Sequence, residues 1–262
     1  MRDGVIYVAK GAGYLDLAER SVASLKRCNP GLAVDLFTDQ AGVSTLWDQV
    51  RPIPAGVTPK LASLPESRFA RTLYMDCDTL VLAPFGDLFE VLERFELAVA
   101  HDVRRTSALI REGHLVATPY AFPQMNCGVM LYRRSDATAA FLADWQRRYA
   151  AAGRGRDQVS FRDLLWQSDI RFYVLPPEFN LRRVTVLDAW EPLDARPTIL
   201  HSHRLLQHLR GAETRLDDLA AIMVAERQAL AEEWAGLPDG GAAERFHLAE
   251  TLLRGGDGAD AP

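Results

Sequence analysis

An α/β fold is predicted by three features of this 262-residue sequence. The first is the opening strand–helix–strand unit. The second is a set of short β-rich runs recurring between helical patterns. The third is an apolar run, TLYMDCDTLV, that carries two carboxylates at its end. The hydrophobic fraction of 48% and the charged fraction of 25% are ordinary for a chain that buries a core.

The elements follow in order. Val5–Ala9 is a β-rich run, Gly11-Ala12-Gly13 ends it, and a helical pattern runs from about Tyr14 to Arg27. Asn29-Pro30-Gly31 stops that helix and Ala33–Thr38 forms a second strand, which makes a βαβ unit with parallel strands. Thr72–Val81 predicts one strand, followed after Pro84 by a helix over Gly86–Arg94. Phe95–His101 and Val129–Tyr132 predict further strands. Ala137–Ala151 predicts a helix whose Phe141, Trp145 and Tyr149, four residues apart, form a core stripe. The apolar run Phe172–Leu175, the Asn180 loop and a last strand over Thr198–His201 complete this part. From about Arg215 the chain turns Ala-, Glu- and Leu-rich. It predicts helices over Leu216–Trp234 and Ala242–Leu253, broken at Gly236–Gly241, then a disordered GGDGADAP tail.

Charge and cysteine usage exclude several functions. A net charge of −5 is wrong for a protein that tracks nucleic-acid phosphates. The pairs Arg104-Arg105, Arg133-Arg134, Arg147-Arg148 and Arg182-Arg183 would each meet a small anion, but a solvated face is the favoured reading of each. Cys28, Cys77 and Cys127 are odd in number and form no CxxC, which argues against a disulfide framework and for a cytoplasmic location. No run reaches membrane-spanning length, so any membrane contact is expected to be peripheral. The first loop is not a dinucleotide-binding fingerprint, because Asp16 stands where the third glycine belongs.

Asp76-Cys77-Asp78 is the chemical centre of the sequence. Hard divalent cations take oxygen ligands, and two carboxylates at a strand's carboxyl end can hold one while leaving positions for phosphate oxygens. The surrounding KLASLPESRFARTLYMDCDTLVLAPFGDLF resembles the core of GT-A glycosyltransferases, particularly glycosyltransferase family 8 and related bacterial nucleotide-diphospho-sugar transferases. FPQMNCGVMLYRRS resembles that family's N-[SA]-G-V segment. Arg156-Asp157-Gln158 with LPPEFNLR resembles its D-Q helix start and L-P-x-x-[FY]-N loop, and ILHSHR its strand-end histidine. Four motifs in the family's order span roughly residues 5 to 208.

The resemblance implies a GT-A α/β/α sandwich with a mixed, largely parallel sheet over residues 1–208. A helical C-terminal extension over 209–254 and the tail over 255–262 would follow. It implies Mn2+ or Mg2+ held by Asp76, Asp78 and His201, with His203 the alternative ligand. Catalytic or donor-sugar roles fall on Asp102, Asn126, Asp157 and Gln158. Donor-binding roles fall on Ala9, Lys10, Tyr14, Lys60, Cys77, Gly128 and Asn180 beside the two metal carboxylates. The implied reaction moves a sugar from a nucleotide-sugar donor, a UDP-sugar favoured, to a saccharide or other hydroxyl acceptor. One departure stands out. The family carries Gly and Lys-Pro-Trp shortly after the histidine, whereas Leu205–Arg210 follows here, leaving Arg204 or Arg210 as substitutes for the phosphate-binding lysine. Two other readings share these residues. A sugar nucleotidyltransferase would need a Gly-rich loop with Thr-Arg that Lys10–Tyr14 lacks, and a non-catalytic nucleotide-sugar-binding module would keep the fold without turnover.

Overall fold

The computed structural model describes residues 3–103, 115–153, 155–212 and 214–236. The chain divides into two compact units, Met1–Arg215 and a second beginning at Leu216. In the first, strands β1 (Asp3–Ala9), β2 (Ala33–Thr38), β3 (Gln49–Pro52), β4 (Arg71–Met75), β6 (Leu97–His101), β7 (Met125–Arg133) and β8 (Phe172–Val174) form a sheet in the order β3-β2-β1-β4-β7-β6-β8. Only β7 runs against its neighbours, so the sheet is mixed and largely parallel. Every residue of β2 is buried, as a strand of a sheet covered on both faces must be. Helix α1 (Ala12–Cys28) lies on one face, where Tyr7 Oη meets Ser21 Oγ at 2.8 Å. The short α2 (Pro59–Ser63), α3 (Asp136–Ala151) and α4 (Asp157–Gln167) lie on the other, packed with Ile6, Tyr74 and Met130 in one core.

Local chemistry explains the boundaries. Gly11 takes φ +83°, a backbone shape that a side chain disfavours, and Leu15 N–H then bonds to Gly11 O at 3.1 Å to begin α1. The Ser135 hydroxyl caps α3 by accepting Thr138 N–H at 3.1 Å, and the expected stripe of Phe141, Trp145 and Tyr149 is buried. In β2, Asp35 is 1% exposed and receives a two-pronged ion pair from Arg68, Nε to Oδ2 at 2.7 Å and Nη2 to Oδ1 at 2.9 Å. Arg68→Met leaves that buried carboxylate uncompensated and is expected to cost about 3 kcal/mol, read by urea unfolding.

Some elements differ from expectation. The Thr72–Val81 run is not one strand. It breaks at Asp76-Cys77-Asp78, where the Thr79 hydroxyl donates to Asp76 O at 2.8 Å and supplants the ladder. The remainder becomes β5 (Thr79–Val81), which pairs antiparallel with β9 (Ile199–His201) in a separate two-stranded ribbon. Gly86–Glu93 winds as a 3₁₀ stretch held by burial of Leu88, Phe89 and Leu92, without a side-chain N-cap. β7 reaches four residues further toward the N-terminus than the predicted strand, and β3 was not expected from the sequence. In the second unit, α5 (Leu219–Ala235) fills most of the first predicted C-terminal helix and is capped by Asp218. The second such helix, the 255–262 tail and the Arg104-Arg105 pair lie outside the described residues.

A candidate divalent-metal site at the strand ends

The sheet brings the predicted residues to one edge by topology. Asp76 follows β4, Asp102 follows β6, and the antiparallel β7 begins at the same edge with Asn126-Cys127-Gly128. The β6–β7 register slips there: Val99 pairs with Met130, but Ala100 already pairs with Asn126. Such an irregularity re-aims the intervening residues, and here it turns them toward Asp76, whose N–H donates to Gly128 O at 2.7 Å. The β5–β9 ribbon delivers His201 opposite Thr79, and Ser202 N–H bonds to Asp78 O at 3.0 Å.

Asp76, Asp78 and His201 thereby offer ligand atoms that all lie within 4.8 Å of one another. His201 Nε2 is 3.6 Å from Asp76 Oδ2 and 3.4 Å from Asp78 Oδ1. His201, not His203, closes the cluster.

Hydrogen bonds orient the imidazole. Gly128 N–H can only donate, so the Asn126 side-chain atom that it meets at 3.0 Å is the amide oxygen. Asn180 therefore presents its Nδ2 to that oxygen, at 3.1 Å, and its Oδ1 to His201 Nδ1, at 2.8 Å. An amide oxygen accepts only, so His201 Nδ1 is the donor to Asn180, and Nε2 is the ring nitrogen that faces the two carboxylates. The relay reaches Asp102 Oδ2, 3.4 Å from Asn126 Nδ2. One imidazole nitrogen and two carboxylates form a donor set that could hold a divalent cation. Gly128 supplies the room: a Cβ there would lie 1.9 Å from His201 Cε1 and 2.6 Å from Asp76 Oδ2. The glycine at 128 thus leaves room for the side chains of Asp76 and His201.

A second network flanks the first. Tyr74 Oη donates to Asp76 Oδ1 at 2.5 Å, so one carboxylate oxygen is tethered while Oδ2 faces His201. Burial, and then the adjacent carboxylate of Asp76, push the Tyr74 hydroxyl well above its ordinary value, so it remains a donor. Lys60 Nζ lies 3.0 Å from Asp157 Oδ2 and 4.9 Å from the Tyr74 ring centroid. Burial alone would lower the Lys60 ammonium, but the carboxylates of Asp157 and Asp76 outweigh it and hold it raised and charged. Gln158 Oε1 accepts from Gln124 Nε2 at 3.0 Å. Burial likewise pushes the Asp78 carboxyl up, and the His201 ring together with the Arg182 guanidinium brings it below its ordinary value.

The remaining predicted residues sit at the end of β1. Ala9 is buried, whereas Lys10 and Tyr14 are exposed. The Cys77 thiol turns from the cluster and donates to Val8 O at 3.3 Å. Gly11 N–H bonds to Asp39 Oδ1 at 2.7 Å, so a carboxylate at the end of β2 shapes this loop. Sequence reading missed Tyr74, Arg182 and Asp39. Period-two alternation offered a signal for the first, since Tyr74 shares a strand face with Asp76. Tyr74→Phe is expected to weaken manganese binding about tenfold with circular dichroism unchanged, as loss of a group that orients a ligand usually does. Titration of bound manganese by electron paramagnetic resonance checks it.

Comparison with solved structures places this architecture among the GT-A glycosyltransferases. The glycosyltransferase GlyE of Streptococcus pneumoniae TIGR4 is 16% identical, with a TM-score of 0.57 over 89% of this chain and 64% of that one. The chain thus spans less than two thirds of that protein's length. Mouse xyloside xylosyltransferase 1 is 14% identical, with a TM-score of 0.54 over 77% of this chain and 97% of that one. The galactosyltransferase LgtC, solved with donor and acceptor sugar analogs, is 16% identical, with a TM-score of 0.53 over 92% and 99%. These identities speak to fold alone. No curated protein matches by sequence. The family model for nucleotide-diphospho-sugar transferases matches residues 70–215, which is more than half of the chain and takes in Asp76, Asp78, Asn126, Asn180 and His201. The chain belongs to the nucleotide-diphospho-sugar transferase family.

Proposed function

We propose that the protein transfers a hexosyl or similar unit from a nucleoside diphosphate sugar, a UDP-sugar favoured, to a hydroxyl of a saccharide or other acceptor, with Mn2+ or Mg2+ bound. The observation that carries this reading is the Asp76–Asp78–His201 cluster with its oriented Nε2. A divalent ion held there would act as a Lewis acid on the departing diphosphate.

The chain's own residues do the positioning. Asn180 and Asn126 orient His201, and Tyr74 orients Asp76. Asp102, Asn126, Asp157, Gln158 and Asn180 would hold the donor sugar at the β6, β7 and α4 ends. Lys60 keeps the Asp157 carboxylate in place. Ala9, Lys10, Tyr14 and the backbone about Cys77 would bind the nucleoside at the end of β1, since ligands of open α/β sheets lie outside the strand carboxyl ends. The unpaired cysteines favour a cytoplasmic setting. No helix among the described residues is long and apolar enough to cross a membrane.

A donor screen in the presence of manganese tests this. UDP or GDP release from one sugar nucleotide, abolished by chelator, is the expected result. Pyrophosphate release from a nucleoside triphosphate and a sugar phosphate would assign a nucleotidyltransferase instead. Metal-dependent binding without turnover, even with acceptors supplied, would assign a binding module.

A further inference from the structure

The segment Asn180–Arg182 runs beside β9, with Leu181 N–H bonded to Ile199 O at 2.8 Å and His201 N–H bonded to Leu181 O at 3.1 Å. Alternate residues of an extended segment face the same way, so Arg182 shares the face from which Asn180 reaches the His201 ring, while Leu181 is buried on the other. Arg182 is half-buried. Its Nη1 donates to His201 O at 2.9 Å, and its Nε is buried without a partner. A guanidinium on the His201 carbonyl whose charge is felt at the Asp78 carboxylate is unfavourable for a metal taken alone, because it offsets negative charge that would attract the cation. It becomes favourable once an anion joins the metal. Two carboxylates balance a divalent ion, and a diphosphate then brings further negative charge. No lysine stands in Leu205–Arg210 where the family places one after the histidine to meet that charge, and Arg210, one of its two expected substitutes, is exposed.

We propose that Arg182 supplies the positive charge for the donor's diphosphate, so that metal and diphosphate bind cooperatively and the metal binds weakly without the nucleotide. This rests on the nucleotide-sugar reading above. The signature is a pair of opposite effects. Arg182→Met is expected to bind manganese alone about three- to tenfold more tightly than the wild type. In saturating manganese it is expected to bind UDP at least tenfold more weakly, with UMP affected less because it carries less charge. Arg182→Lys, which restores charge without the two-pronged geometry, should fall between.

Calorimetric titration of folded wild type and both variants with manganese, and with UDP and UMP in manganese, reads all of these values. A merely structural role through the His201 carbonyl would weaken manganese and UDP together in Arg182→Met, and that result overturns the proposal. UDP affinity unchanged in Arg182→Met overturns it as well. A wild type that binds manganese but neither UDP, GDP nor inorganic pyrophosphate would overturn the donor reading, and this inference with it.

Discussion

Asp78→Asn is expected to leave the protein folded and to cut metal-dependent sugar transfer by at least about a hundredfold, roughly 3 kcal/mol of lost transition-state stabilisation. The substitution keeps the side chain's shape while removing its charge. Asp78 is 8% exposed and faces His201 Nε2, so the amide cannot swing out to water and let a solvent oxygen replace it. Its backbone role survives, because Ser202 N–H bonds to Asp78 O and not to the carboxylate. The ribbon that carries His201 should therefore persist, and thermal unfolding should move by only a few degrees. The informative measurement is turnover across a manganese titration. A variant that remains folded and retains more than about a tenth of its metal-dependent activity at saturating manganese would show that the carboxylate is not a ligand.

How much of this was legible in the sequence depends on the range of the interaction that decides each feature. The βαβ opening is local, written in the apolar runs and the Gly and Asn-Pro-Gly breakers, and it appears as predicted. So do the buried stripe on α3 and the Asp76-Cys77-Asp78 arrangement at a strand end. The break after Met75 was hidden because Thr79-Leu80-Val81 has full strand character. What separates it from β4 is its pairing with Ile199–His201, more than a hundred residues away in the chain. The register slip between β6 and β7 is non-local in the same way, yet it aims Asn126 and Gly128.

Arg182 shows the limit most clearly. Beside Arg183 it read as an ordinary charged surface pair. Arg133, of a similar pair, is indeed matched to Glu96, and Arg147 and Arg148 to Asp144. The bridge of Leu181 to Leu200 sets the register in which Arg182 of the pair reaches the His201 carbonyl. The resemblance points to the strand-end histidine, His201, with His203 the alternative, and the ribbon supplies the physical reason that His201 joins the two carboxylates, since a residue within β9 is held in register with Thr79.

Gly128→Ala is the most severe test of that packing, because it adds one methyl and touches no ligand chemically. The backbone of Gly128 has no positive φ, so alanine carries no conformational penalty and the whole effect is steric. A Cβ 1.9 Å from His201 Cε1 and 2.7 Å from His201 Nδ1 leaves the imidazole no place in its present position. The ring must rotate, break its bond to Asn180 and withdraw Nε2 from the carboxylates. Manganese affinity is expected to fall by about a hundredfold or more, as for removal of a ligand, with a stability loss of roughly 1–3 kcal/mol from overpacking. The double variant Gly128→Ala/His201→Ala separates steric from other causes. Removing the imidazole relieves the severer clash and leaves only Asp76 Oδ2, at 2.6 Å, to shift, so the double variant should unfold at a higher temperature than Gly128→Ala alone, a coupling of at least about 1 kcal/mol. Additive losses in that cycle, or manganese affinity within about threefold of the wild type in Gly128→Ala, would show that the methyl is accommodated without moving His201.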